Sequence, residues 1–230
     1  MEKSQTGKYL KYAVGEILLV VIGILIALQL NQYKESYEMN SQRQNYYNQL
    51  LVDLQKDKDY IEEMLVNIDT FKNSYDKYLT FFNEPGQTPE QLSEIIRSMN
   101  HSIELISFNT RTVESLEKSG DIKIIPQDIR NELLDLKRSQ DFLTEKVKGN
   151  GIIQAEFFKE MIISGFSMSQ KIQNQPVLTQ YFKDIIDDKK TLMLFDGNLG
   201  WKRSLEKSKD LNELLEKITE LTEHLNHKLV

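Results

Sequence analysis

From Tyr12 to Leu30 the chain is apolar at every position except Glu16 and Gln29. As a helix rising about 1.5 Å per residue, the run spans about 28 Å, close to the hydrocarbon thickness of a bilayer. A signal peptide would have a shorter apolar core and end on small residues before a cleavage site. This run closes instead on Ala27-Leu28-Gln29-Leu30-Asn31-Gln32. A buried core helix would need an apolar surface against all its faces. The pattern predicts one transmembrane helix over 12–30, a short cytoplasmic segment over 1–11, and a helical extracytoplasmic domain over 31–230.

Beyond the span the pattern changes to a stripe. Tyr47, Leu50, Leu54, Asp57, Ile61, Met64, Ile68, Phe71, Tyr75, Tyr78 and Phe82 alternate three and four apart, and all but Asp57 are apolar or aromatic. This is a coiled-coil-like face about five heptads long. No proline or glycine interrupts residues 29–83, so the membrane helix is expected to run on as one rod until Glu84-Pro85-Gly86 turns the chain. Thr88-Pro89-Glu90-Gln91 reads as a helix start with a capping box, leading to about Met99. Ile103 to Phe108 reads as a short, extended linker. Thr110 or Thr112 opens another helix, and Gly120 suits its left-handed C-terminal cap.

Residues 121–125 cross over, and Pro126 opens a helix with Ile129, Leu133, Leu136, Phe142 and Leu143 on its inner face. Gly149-Asn150-Gly151 is expected to break the chain before a helix over Ile152–Met168, and Asn174-Gln175-Pro176 to break it again. Asp196-Gly197-Asn198-Leu199-Gly200 reads as a turn. The closing helix, from Trp201 to Leu229, carries Leu211, Leu214, Ile218, Leu221 and Leu225 in heptad positions and is the natural partner of the long first helix. The expected fold class is therefore all-α: an N-terminal transmembrane helix continuing into the long helix of an elongated antiparallel helical bundle.

Charge sets the orientation and narrows the partners. Lys3, Lys8 and Lys11 precede the span, whereas Lys34 and Arg43 follow it among Glu35 and Glu38. The bias favours an inside N-terminus, with the bulk of the chain in the periplasm. A net charge of −6 offers no basic face for nucleic acid. The absence of cysteine excludes disulfides, thiol catalysis and cysteine metal sites.

The stretch Tyr12-Ala-Val-Gly-Glu-Ile-Leu-Leu-Val-Val-Ile-Gly-Ile-Leu-Ile-Ala-Leu-Gln-Leu-Asn31 resembles the anchor of an uncharacterised family of single-span membrane proteins from the Bacteroidota. Thr112-Val-Glu-Ser-Leu-Glu-Lys-Ser-Gly120-Asp-Ile-Lys-Ile-Ile125, followed by Arg130-Asn-Glu-Leu-Leu134, is similar to the second recurring element of that family. The family anchor often continues Asn-x-Trp, where this chain has Tyr33. The resemblance implies an inner-membrane protein with a periplasmic helical domain. It implies no activity.

Glu16 is the sharpest chemical feature, because an ionisable group inside a span is costly. On a helix it lies within about 40° of Gly23 and Ala27, a small-xxx-small pair that admits another helix closely. Either Glu16 hydrogen-bonds across a contact with a second transmembrane helix, of this chain or of another membrane protein, or it reaches the headgroups from one turn inside the boundary. Glu220, His224 and His227 share a helix face near Glu223 and read as a solvated helix end with cationic His near the dipole rather than a metal site. His101 stands alone, Gly149-Asn-Gly151 lacks the Lys-Ser/Thr of a phosphate loop, and Trp201 and Tyr181 read as aromatic core before cleft lining. No catalytic, cofactor or metal residues are assigned. The reading is a membrane-anchored, non-enzymatic interaction or scaffold protein. The alternative is a periplasmic ligand-sensing module acting through a separate membrane signalling partner, which a polar-lined pocket would favour.

Overall fold

The computed structural model describes residues 6–86, 88, 91, 105–163 and 176–229, and every regular element among them is helical. In chain order these are α1 (Thr6–Asn83), α2 (Arg111–Ser119), a 3-10 turn (Asp121–Ile124), α3 (Gln127–Ile163) and α4 (Pro176–Lys228). The chain is all-α, and α1 packs against α4. The body of the helix expected from Thr88 to Met99, His101, and the side chains of Phe82 and Tyr181 lie outside the described residues.

The uninterrupted pattern from 29 to 83 produces one 78-residue helix, about 117 Å long at 1.5 Å per residue. It stops at Asn83, and Gly86 takes a left-handed φ of 83° as the chain turns. The Thr88 capping box is present: the Thr88 amide donates to Gln91 Oε1 (2.9 Å) and the Gln91 amide to Thr88 Oγ1 (3.3 Å). Gly120 closes α2 with φ 81°, the left-handed cap expected there. Helix α2 begins at Arg111 after Thr110, but the Thr110 hydroxyl binds Glu114 Oε1 (2.9 Å) instead of a free amide.

Two expected breaks are absent. Helix α3 runs straight through Gly149-Asn150-Gly151, and α4 runs through Asp196 to Gly200, so residues 191–195 belong to that same helix. A glycine inside a helix costs only about 1 kcal/mol relative to alanine. The buried faces of these helices, from Ile129 to Val147 on α3 and from Leu211 to Leu225 on α4, outweigh that cost. The inner face of α3 also differs by one side chain. Ile129, Leu133, Leu136, Gln140, Leu143 and Val147 are buried at three- and four-residue spacing, whereas Phe142 falls between two of those positions and is 68% exposed.

Contacts between α1 and α4 fix an antiparallel register. Gln44 Nε2 donates to the Lys228 carbonyl (3.0 Å) at one end. At the other, Gly197 lies against Tyr78 and Gly200 against Tyr75. This register sets Leu50 level with Leu225, Leu54 with Leu221 and Ile61 with Leu214, all buried. Higher up, the large Tyr75 and Tyr78 of α1 meet the two glycines of α4. A Cβ on Gly197 would come within 2.8 Å of the Tyr78 ring, and one on Gly200 would overlap the Tyr75 ring. The glycines read as a turn in the sequence are notches that receive aromatic rings.

Among the described residues, helix α2 packs on α1 and α3 at the end of the bundle nearer the apolar run. Below the bundle, residues 31–42 of α1 are exposed on all sides. At 1.5 Å per residue they form a single-helix stalk of about 18 Å. The stalk is laced by an Asn31 Nδ2 to Glu35 Oε1 hydrogen bond (2.7 Å) and a Lys34–Glu38 ion pair (3.7 Å).

Candidate functional site

Among the described residues one helix, α1, is long and apolar enough to cross a membrane, and none of its apolar window is buried against the rest of the chain. Glu16, Gly23 and Ala27 sit on this part of α1, all exposed. A Cβ added at Gly23 would meet nothing within 4 Å. The face that carries the carboxylate and the small residues is therefore open, and none of the described residues elsewhere in the fold packs against it.

A second polar feature lies inside the bundle. Asp57, the one polar member of the α1 stripe, is 1% exposed. Its Oδ1 accepts from the Asn109 backbone amide (2.8 Å) and from Asn109 Nδ2 (2.7 Å), and its Oδ2 accepts from Gln140 Nε2 (2.8 Å). The carboxylate thus ties α1 to the segment 105–110 and to α3. Burial pushes its pKa up, while the three donated hydrogen bonds pull the other way. Around it, Thr112 Oγ1 donates to Asp53, and Tyr60 packs edge-on to Phe108 with ring centroids 6.1 Å apart. Saturated by three donors and closed to water, Asp57 pins the packing of these elements and has no room for a substrate.

The third feature is a cleft of about 80 Å³ between α1, α3 and α4. Phe71 and Tyr75 form its α1 wall, Asn150 and Gln154 its α3 wall, and Arg203 and Lys207 its α4 wall. Gln154 Nε2 donates to the Tyr75 hydroxyl (2.9 Å), and Arg203 Nη1 donates to the Asn150 carbonyl (3.2 Å). Trp201 is half-buried on the same turn of α4 as Gly200, so the aromatic rings that line the cleft come from α1 rather than from Trp201. A larger groove of about 300 Å³ runs between α3 and α4 beside Phe142. Its charges are engaged with neighbours: Lys217 donates to Ser139 Oγ (2.9 Å), and Lys146 holds Asp210 (2.6 Å).

The histidines of the last helix separate. His227 is exposed, while His224 crosses to α3, with Nδ1 3.1 Å from Glu132 Oε1 and Nε2 3.4 Å from Asp128 Oδ2. Asp128 itself is held below the ordinary carboxylate range, chiefly by the Ile129 amide at the start of α3. His224 therefore faces carboxylates of another helix rather than Glu220, and among the described residues no group of three His, Cys, Asp or Glu side chains could hold a metal ion.

The sequence singled out Glu16, Gly23 and Ala27 through composition and spacing, and flagged Asp57 by its polarity in an apolar stripe. The cleft escaped it. The available signal was that Lys207, Ser204 and Gly200 continue the heptad stripe of α4 upward from Leu211. No known protein family matches the chain, and no characterised protein or solved structure matches it either.

Proposed function

We propose that this chain is a single-pass, membrane-anchored, non-enzymatic interaction protein of the bacterial inner membrane, holding a helical bundle in the periplasm. The observation that carries the reading is the continuity of α1. One helix supplies an apolar run of bilayer length, an exposed stalk and the central stripe of the bundle. The anchor is therefore joined to the folded domain without a flexible linker. The lysines ahead of the run support an inside N-terminus, and the resemblance of the anchor to single-span proteins supports the inner membrane. The open Glu16, Gly23 and Ala27 face supports contact with another transmembrane helix, either a second copy or a different membrane protein. Cross-linking in native membranes, followed by identification of what is captured, tests the reading. Recovery of specific membrane proteins or of a homo-oligomer is expected, and a strictly monomeric chain under every cross-linker would refute it.

The cleft favours a second reading, a ligand-sensing module working through a separate membrane signalling partner. Helical bundles transmit small shifts between packed helices along their axes, and here the cleft sits between three helices of which one is the anchor.

A further inference from the structure

We infer that the side of α1 turned away from the bundle is a dimer interface, and that its partner is a second copy of this chain, packed parallel and in register from Glu16 to Tyr37. The inference rests on the reading of the Glu16, Gly23 and Ala27 face as a contact for another transmembrane helix, and it names the helix that covers that face.

The face does not end at the membrane. Glu16, Gly23, Leu30 and Tyr37 follow one another at seven-residue steps, with Leu19, Ile26 and Tyr33 between them, and all of these are exposed. This is the a/d spacing of a two-stranded coiled coil. Taken at 100° per residue with Leu30 as origin, these side chains fall within about 60° of one direction. Ser41, Asn48, Gln55 and Asp59 continue that direction within about 20° and are exposed as well. Tyr47, Leu50, Leu54, Asp57 and Ile61, which the bundle buries, lie about 100–180° around the helix from it. Two copies can therefore meet along this face with both bundles on the outside.

Tyr37 separates a helix contact from an aromatic belt. Tyr33 lies about 4.5 Å beyond Leu30 along α1, within a headgroup layer of about 5–7 Å, where tyrosine is enriched. Tyr37 lies about 10 Å beyond Leu30, above that layer, and is 69% exposed. A partner that covers both Gly23 and Tyr37 must leave the membrane as an unbroken helix, offer an apolar or aromatic side chain at the same height, and hold its own folded part clear. A second copy meets all three conditions, because α1 is one helix from Thr6 to Asn83. Charge agrees on the stalk. In a parallel pair the flank carrying Lys34 and Glu38 meets the flank carrying Tyr33, Ser36 and Asn40 of the other copy, so no like charges face each other there. Within the membrane the two Glu16 carboxyls come together and share a proton, one donating to the other.

Area joins the two halves of the face. Tyr33 and Tyr37 are 75% and 69% exposed, so the four rings of a dimer offer roughly 400–700 Å² outside the membrane, at about 150–250 Å² for a buried aromatic side chain. A stable pair in water buries about 1,200 Å² or more. The stalk alone falls short, so the membrane and stalk segments close as one interface.

The test is disulfide formation in native membranes between two differently tagged full-length copies, each carrying one introduced cysteine in the otherwise cysteine-free chain. With helix axes about 8–10 Å apart, facing Cα atoms are about 4–6 Å apart, within disulfide range, whereas those on the far side are about 13 Å apart. Leu30→Cys and Tyr37→Cys should each give dimers bearing both tags, at least about fivefold more than Gln32→Cys and Met39→Cys on the far side. Leu30→Cys keeps both tyrosines, so its result does not depend on losing one. Adding Gly23→Leu to Tyr37→Cys should cut the yield about fivefold or more, because the membrane and stalk contacts close together. Equal yields at all four positions, or none at Leu30 and Tyr37, overturn the inference. An undiminished yield after Gly23→Leu overturns the single continuous interface. Capture of a different membrane protein by the wild-type chain, with no dimer bearing both tags, removes the second copy and leaves the contact reading of the anchor standing.

Discussion

Replacing Asp57 separates the value of its hydrogen bonds from the cost of its charge. In Asp57→Ala the Asn109 amide, the Asn109 side chain and Gln140 all lose their acceptor. Each buried donor left unpaired costs about 1–3 kcal/mol, and the truncation adds a small cavity. A loss of about 3–5 kcal/mol is expected after partial relaxation. In Asp57→Asn one oxygen still accepts from Asn109, and Gln140 can turn its amide to offer oxygen to the new NH2 group. That variant should lie within about 1 kcal/mol of the wild type at neutral pH.

The two forms should also differ in pH dependence. Burial raises the folded-state pKa of Asp57 above its ordinary value of 3.8, so the folded chain takes up this proton more readily than the unfolded chain. Its contribution to stability is therefore full below the ordinary value and is lost as pH rises through the folded-state pKa. Asp57→Asn lacks this titration and should gain on the wild type as pH rises across that window. Denaturant unfolding of the full-length chain in detergent, followed through Trp201, the single tryptophan, gives both numbers. If Asn is as damaging as Ala, or if the gap between Asn and wild type does not change with pH, the account of Asp57 as a desolvated, three-donor acceptor is wrong.

Gly200→Ala should destabilise the bundle by about 1–3 kcal/mol despite the better helix propensity of alanine, because its Cβ would overlap the Tyr75 ring. Gly149→Ala, where a Cβ meets nothing within 4 Å, should stabilise by up to about 1 kcal/mol, and paired melting curves decide both. Cysteines at Ile61 and Leu214 should join by disulfide under mild oxidation of the otherwise cysteine-free chain. A pair at Ile68 and Leu214, about seven residues out of register, should not, and the reverse result would discard the α1–α4 alignment. Gly23→Leu, Ala27→Leu and Glu16→Leu should each lower association measured by co-purification at matched expression, with Glu16→Gln less damaging than Glu16→Leu if the contact is a hydrogen bond; wild-type association in all four would make this face lipid-facing surface. A reporter fused after Val230 should be active only if it functions outside the cytoplasm, and activity of a cytoplasm-only reporter would invert the topology.

Periodicity carried most of the fold. The α1 stripe, the α4 heptads and the Gly120 cap were legible because each follows from local spacing or from a backbone angle that glycine favours. The failures have one physical origin. Gly149, Gly151, Gly197 and Gly200 satisfy the local rule for a chain break, and for Gly197 and Gly200 only the tertiary partner, a tyrosine ring more than a hundred residues away, shows that the missing side chain is a packing device. Phe142 was misplaced because it neighbours the inward-facing Leu143, a difference of about 100° on the helix. Asp57 could be flagged from its stripe, but Asn109 and Gln140, 52 and 83 residues distant, could not be assigned to it. The cleft was invisible for the same reason: its walls are defined by the register between helices, which periodicity leaves open.

The exposed stalk over residues 31–42 makes the heading of the bundle a matter of arithmetic. Because α1 has no hinge between its apolar run and Tyr47, the direction in which the cleft faces is locked to the direction in which Glu16 faces. Each residue inserted into the stalk would swing the whole bundle by about 100° and lift it by about 1.5 Å. Seven inserted residues would return it to within about 20° of its original bearing, some 10 Å higher. A partner that touches both the anchor and the bundle would thus tolerate a seven-residue insertion far better than one of two or five. The stalk is the compass needle of the protein, and its length in residues is a setting of azimuth as much as of height.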